Sequence, residues 1–101
     1  MHYMMFYNLA PDYLERRDEY RLAHLQHAWA AQSRGELVLA GALADPADAA
    51  MLLFSCEDPE VPKQFALADP YFEHGLVTGF EVRLWATVVG EAASTPIKPG
   101  Q

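Results

Sequence analysis

His24 has the setting in this sequence that best suits acid/base chemistry. It lies within residues 13–34, a stretch without Gly or Pro that reads as one long helix. At about 100° per residue, Leu14, Leu22, Leu25, Ala28 and Trp29 cluster into one apolar sector, predicted to face a sheet. His24 falls at the edge of that sector, while His27 falls almost opposite it and is expected in water. Arg17 lies two turns before His24 and nearly under it, and Arg21 lies on the same flank. A half-buried imidazole oriented by a carboxylate suits proton transfer near neutral pH. A guanidinium fork beside it suits an oxyanion or carboxylate on a substrate. The alternative is a boundary histidine that only satisfies its own hydrogen bonds. Asp69, in Ala68-Asp69-Pro70-Tyr71, is the second candidate. An Asp before Pro is an ordinary turn former, but a rigid turn can also aim its carboxylate at a partner.

Other side chains offer less. His24 and His27 stand at i,i+3, but His27 points away and no third ligand accompanies them, so no metal site is expected. His74 lies in a turn, either solvated or lining the same pocket as Asp69. Cys56 is the only cysteine and has no cationic neighbour in sequence, which reads as a buried inert thiol and excludes an intrachain disulfide. Tyr3, Phe6, Tyr7 and Trp85 read as core or interface. No glycine-rich phosphate loop is present, and no cofactor is expected.

The elements that must position these groups follow from the local pattern. Residues 3–9 read as a buried aromatic strand, broken by Ala10-Pro11-Asp12. Gly35 stops the long helix. Residues 36–43 and 50–56 read as two strands around a turn, and Asp58-Pro59 opens a second helix that reaches about Ala68. Asp69-Pro70 ends that helix, and a turn through Gly75 leads to a last strand over residues 77–89. There Phe80, Val82, Leu84 and Ala86 share one face, and Glu81, Arg83, Trp85 and Thr87 share the other. Arg83 either binds an anion from that open face or pairs with a neighbouring Glu. The tail after Gly90 is expected to be an extended polar extension, which places the domain at residues 1–89 and the extension at 90–101. The order β-α-β-β-α-β predicts a ferredoxin-like α+β fold: an antiparallel four-stranded sheet with two helices on one face. The uncovered face could pair with a second copy.

Composition bounds the function class. One hundred and one residues make one domain, and 51% hydrophobic residues suffice for a packed core. Seven Lys plus Arg against 14 Asp plus Glu give a formal net charge of -7. No basic face for nucleic acid is visible, nor a polybasic patch or apolar run for a membrane. The start carries no basic n-region, so a cytoplasmic protein is expected.

Four segments together resemble the YCII-related (YciI-like) family. They are the aromatic first strand, Arg21-Leu22-Ala23-His24-Leu25, Gly35-Glu36-Leu37 running to Gly41-Ala42-Leu43, and Asp69-Pro70-Tyr71 with Gly75-Leu76-Val77 ahead of Glu81-Val82-Arg83-Leu84-Trp85. The resemblance implies a dimeric α+β barrel, in which two ferredoxin-like units pack sheet to sheet as a homodimer. It also implies a His-Asp active site, which falls on His24 and Asp69. Asp69 would orient the imidazole, and His24 would shuttle a proton on a small cyclic or phenolic substrate. The family includes a dehydrochlorinase acting on a chlorinated hydroxyquinol, so lyase or isomerase chemistry is implied. Members often carry Pro where this chain has Leu22, Ala42 and Leu84; none of these supplies a functional group. Two classes remain open: an enzyme, which needs His24 and Asp69 in contact beside a cavity, and a non-catalytic ligand-binding or interaction module, which needs only the cavity.

Overall fold

The structure, a computed structural model, describes residues 1–100. Strand β1 (His2–Leu9) is followed by helix α1 (Tyr13–Ser33), strands β2 (Leu37–Ala42) and β3 (Ala49–Ser55), helix α2 (Glu60–Ala68), a one-turn helix α3 (Pro70–Glu73) and strand β4 (Val77–Trp85). The strands form one sheet in the order β2-β3-β1-β4, with every neighbouring pair antiparallel. This is the ferredoxin-like α+β arrangement expected from the segment order.

The alternation in β1 sets the core. Tyr3, Met5, Tyr7 and Leu9 are buried on the helix side. Their cross-strand neighbours continue that face: Phe54 and Leu84 beside Tyr3, Leu52 and Val82 beside Met5, Ala50 and Phe80 beside Tyr7. Phe65 and Ala66 of α2 and Tyr71 of α3 close over it. Gly35, at φ +80°, ends α1. The Gly35 and Glu36 N–H groups donate to Gln32 and Ala31 carbonyls at 2.9 and 3.1 Å, capping the last turn.

The face that α1 presents differs from the one expected. Leu14, Leu22 and Trp29 are 57%, 73% and 65% exposed, so the aliphatic sector lies largely outside the core. The inward stripe is Tyr13, Tyr20, His24, His27 and Ala31, at helical spacing of three and four. The helix docks by stacking rings. Tyr20 stacks on His74 at 4.2 Å, His24 on Tyr71 at 3.8 Å and His27 on Phe65 at 4.3 Å between centroids. Imidazole and phenol rings carry polar edges, so they can face inward only where partners exist. Here α2, α3 and His74 at the C-cap of α3 supply those partners. His27, expected in water, instead bonds the Phe65 carbonyl through Nε2 at 2.9 Å.

Two further expectations are corrected. Asp69-Pro70 does not lead into a plain turn but starts α3, because Pro fits the first helical position. β4 ends at Trp85, well before residue 89. The chain beyond it doubles back: Thr95 and Ile97 N–H groups donate to the Thr87 and Val88 carbonyls at 3.1 and 2.9 Å. The tail is thus a turn closed through Gly90, where φ is +114°, and not a free extension.

The helix orientation has a direct mutational consequence. Ala31 is 1% exposed against the core. Ala31→Leu is expected to lower unfolding stability by about 1–3 kcal/mol through overpacking. Leu22→Gln, on the outer face, is expected to change it by no more than about 0.5 kcal/mol. Urea denaturation of the two variants checks this; the reverse ranking contradicts the orientation.

Candidate active site

Asp69 is wholly buried. Its backbone is extended (φ −72°, ψ 124°), as suits a residue before Pro, and it caps α3. Three donors from three elements reach its carboxylate. Oδ1 accepts the Tyr71 N–H at 3.0 Å and the His24 Nδ1–H at 2.8 Å. Oδ2 accepts the Tyr7 hydroxyl of β1 at 2.8 Å. A buried carboxylate is tolerable only when it is bonded in this way.

That arrangement fixes the histidine. His24 is 18% exposed and its ring lies flat on Tyr71, with 5° between planes. A carboxylate accepts and cannot donate, so in the Asp69 contact Nδ1 carries the proton. The neutral ring then keeps its lone pair on Nε2. His24 lines a cavity of about 390 Å³ between α1 and the β2–β3 side of the sheet. Tyr7, Tyr13, Arg17, Arg21, Gln32 and Tyr71 contribute polar groups to its wall, and Leu9, Leu25, Ala28, Trp29, residues 37–42 of β2, Ala50 and Leu52 contribute most of the apolar surface.

The phenols around Asp69 are held neutral. Burial, reinforced by Tyr13, pushes the Tyr71 phenol up to about 12 against the opposing pull of Arg21 and Arg17. Burial and the Asp69 carboxylate raise Tyr7 well above the ordinary phenol range, so it remains a donor to Asp69. Arg17 stands with its guanidinium 5.9 Å from the Tyr13 ring centroid. Its Nε is buried without a hydrogen-bond partner among the described residues; Asp18 Oδ1, at 3.9 Å, is too distant to serve.

The structure therefore brings together His24, Asp69, Arg17 and Arg21. Arg83 does not join them. Opposite Met4, it lies on the sheet face that the helices leave uncovered, and no ion pair with a Glu holds it among the described residues. His74 is exposed, stacks on Tyr20 and does not line the cavity. Cys56 is half-buried, with burial raising its thiol. Tyr7 and Tyr71 also contact the His24–Asp69 pair directly, Tyr7 through Asp69 and Tyr71 by stacking on His24, and residue type and spacing alone do not single them out. A partial signal existed for Tyr7. The alternation Tyr3, Met5, Tyr7, Leu9 places its hydroxyl under the helices, where it needs a buried acceptor.

Two stability measurements test this network. Tyr7→Phe removes the donor to a buried carboxylate oxygen and is expected to cost about 1–3 kcal/mol. A urea midpoint equal to wild type contradicts the bond. The raised Tyr71 phenol favours the folded state below its unfolded value near ~10. That contribution is expected to disappear as pH rises from there through about 12. The urea midpoint should fall over this interval, and fall less in Tyr71→Phe.

Comparison with known proteins agrees with the fold. The solved structure of the 5-chloro-2-hydroxyhydroquinone dehydrochlorinase TftG from Burkholderia phenoliruptrix, in complex with 2,5-dihydroxybenzoquinone, matches with a TM-score of 0.72 at 19% identity, covering 86% of this chain and 95% of that one. A NIPSNAP family protein from Agrobacterium tumefaciens matches with a TM-score of 0.54 at 10% identity, covering 92% and 95%. A NIPSNAP domain protein from Burkholderia xenovorans matches with a TM-score of 0.51 at 10% identity, covering 89% and 98%. No curated protein matches the chain. The YCII-related domain matches residues 1–86, from the first residue to the end of β4, and the chain belongs to this family.

Proposed function

We propose that the protein is an acid/base enzyme of lyase or isomerase type in which His24, oriented by Asp69, moves a proton on a small cyclic enolic or phenolic substrate. The 2.8 Å contact between His24 Nδ1 and Asp69 Oδ1 beside an accessible cavity carries this reading. In the forward step, Nε2 accepts a proton from a substrate C–H or O–H, and Asp69 stabilises the resulting imidazolium. In a lyase a leaving group then departs with its bonding electrons; in an isomerase the proton returns to another atom of the substrate. Arg17 and Arg21 hold the substrate oxyanion, and Tyr71 keeps the imidazole plane fixed. The dehydrochlorinase activity of TftG, a protein of the same fold, supports elimination of chloride as the reaction to try first.

Chloride release from a chlorinated hydroxyhydroquinone is the test. His24→Ala is expected to lower turnover by about 10²–10⁴-fold, with binding and fold retained. Turnover that survives the substitution refutes the catalytic role. Binding without turnover in wild type, over a panel of halogenated and enolic rings, supports a binding module instead.

We also propose a homodimer through the uncovered sheet face. Met4, Phe6, Met51, Leu53 and Trp85 alternate onto that face, and Phe6 and Trp85 are 37% and 47% exposed. Light scattering is expected to give twice the chain mass of 11.3 kDa. Phe6→Glu is expected to return it to a single chain. A wild-type monomer at micromolar concentration contradicts the interface.

A further inference from the structure

The cavity beside His24 has two chemically different ends. At the N-terminal end of α1 stand Arg17 and Arg21, a local concentration of positive charge in a chain whose net charge is -7. Both side chains line the wall there, and Arg17 also stands 3.9 Å through Nε from Asp18 Oδ1, which lies outside the cavity lining. Towards the C-terminal half of α1 the wall is mostly aliphatic and aromatic, with Gln32 as its polar side chain. Leu25, Val38 and Trp29 are 39%, 49% and 65% exposed along it, so their apolar surface meets solvent while the cavity is open. His24 lies between the two ends.

The dimensions exclude a bare ring as an occupant of the whole site. Along the helix axis Arg17 and Trp29 are separated by roughly 18 Å, from a rise of about 1.5 Å per residue. A single six-membered ring at His24 occupies only part of that length. The volume of about 390 Å³ falls among cavities that enclose larger organic ligands.

We infer that the ligand is an amphipathic monoanion: a planar ring with an ionised enol, phenol or carboxylate held by Arg17 and Arg21, carrying an apolar chain of several carbons that lies along α1 towards Trp29. This rests on the reading of the cavity beside His24 as the ligand site and adds to it the substrate class. The anionic head pairs with the guanidinium groups of Arg17 and Arg21 that line the wall, and the chain covers Leu25, Val38 and Trp29. The ring is left stacked beside His24 Nε2, where its acidic hydrogen can be reached.

Calorimetric titration of salicylate and its 4-ethyl, 4-butyl and 4-hexyl derivatives into the full chain tests the inference. Affinity is expected to rise along the series by up to about fourfold for each methylene that becomes buried. Trp29→Ser, an exposed position, is expected to flatten the slope while leaving salicylate unchanged. Arg17→Gln is expected to weaken every member by about tenfold or more while leaving the slope intact, and the matching 3-alkylphenols are expected to bind wild type correspondingly weakly. A flat series in wild type, or equal affinity for alkylphenols and alkylsalicylates, overturns the inference. So does a slope that Trp29→Ser does not alter, or dissociation of a dimer by the alkyl chain, which would make a second copy the natural occupant. The acid/base reading fails separately. A graded series with no turnover of any substrate keeps the ligand class and removes the enzyme, whereas turnover of bare rings with a flat series does the reverse.

Discussion

One buried carboxylate organises this molecule. Asp69 has no contact with solvent, and a charge in that position is tolerable only if its oxygens are bonded. The three donors that satisfy it come from β1, α1 and α3. The sheet, the long helix and the short helix are therefore registered on one side chain. Its capping of α3 and its orientation of the imidazole are not separable: both depend on Oδ1. A group that fixes local backbone and imidazole together leaves His24 little freedom to turn, which is the preorganisation that the proposed proton transfer requires.

The same constraint accounts for the unusual packing of α1. Once His24 must face inward to reach Asp69, the residues three and four positions away face inward too. In this sequence those are Tyr20, His27 and Ala28, with Tyr13 and Ala31 further along, and not the leucines; the remaining one, Arg21, is exposed and lines the cavity. Tyr20, His24 and His27 stack on rings from α2, α3 and His74 just after it, and Tyr13 meets the Tyr71 ring edge-on. The leucines and Trp29 are left on the flank and outer face. Part of that surface lines the cavity wall, so the helix that carries His24 also supplies apolar surface beside it.

Much of this was legible in the residues. Alternation in the strands, Gly35 as a stop and the break at Asp69-Pro70 give the order of elements, and the family resemblance points to His24 and Asp69. The face of α1 was not legible, because apolar periodicity assumes that helices bury aliphatics, while this one buries rings with polar edges. Tyr7 was passed over for a related reason. Its alternation locates it in the core, but the acceptor that makes it part of the site lies far along the chain, on Asp69. The end of β4 was misplaced because residues 86–89 continue the alternating pattern, although the turn at Gly90 directs their carbonyls to the tail.

The central claim is that Asp69 sets the tautomer of His24. Long-range ¹H–¹⁵N correlation spectra of the ¹⁵N-labelled protein, taken where the ring is neutral, read this directly. The account requires the proton on Nδ1 and the lone pair on Nε2, with the Asp69→Asn variant losing that preference. A neutral His24 that carries its proton on Nε2 in the wild type, or a tautomer that Asp69→Asn leaves unchanged, would contradict it.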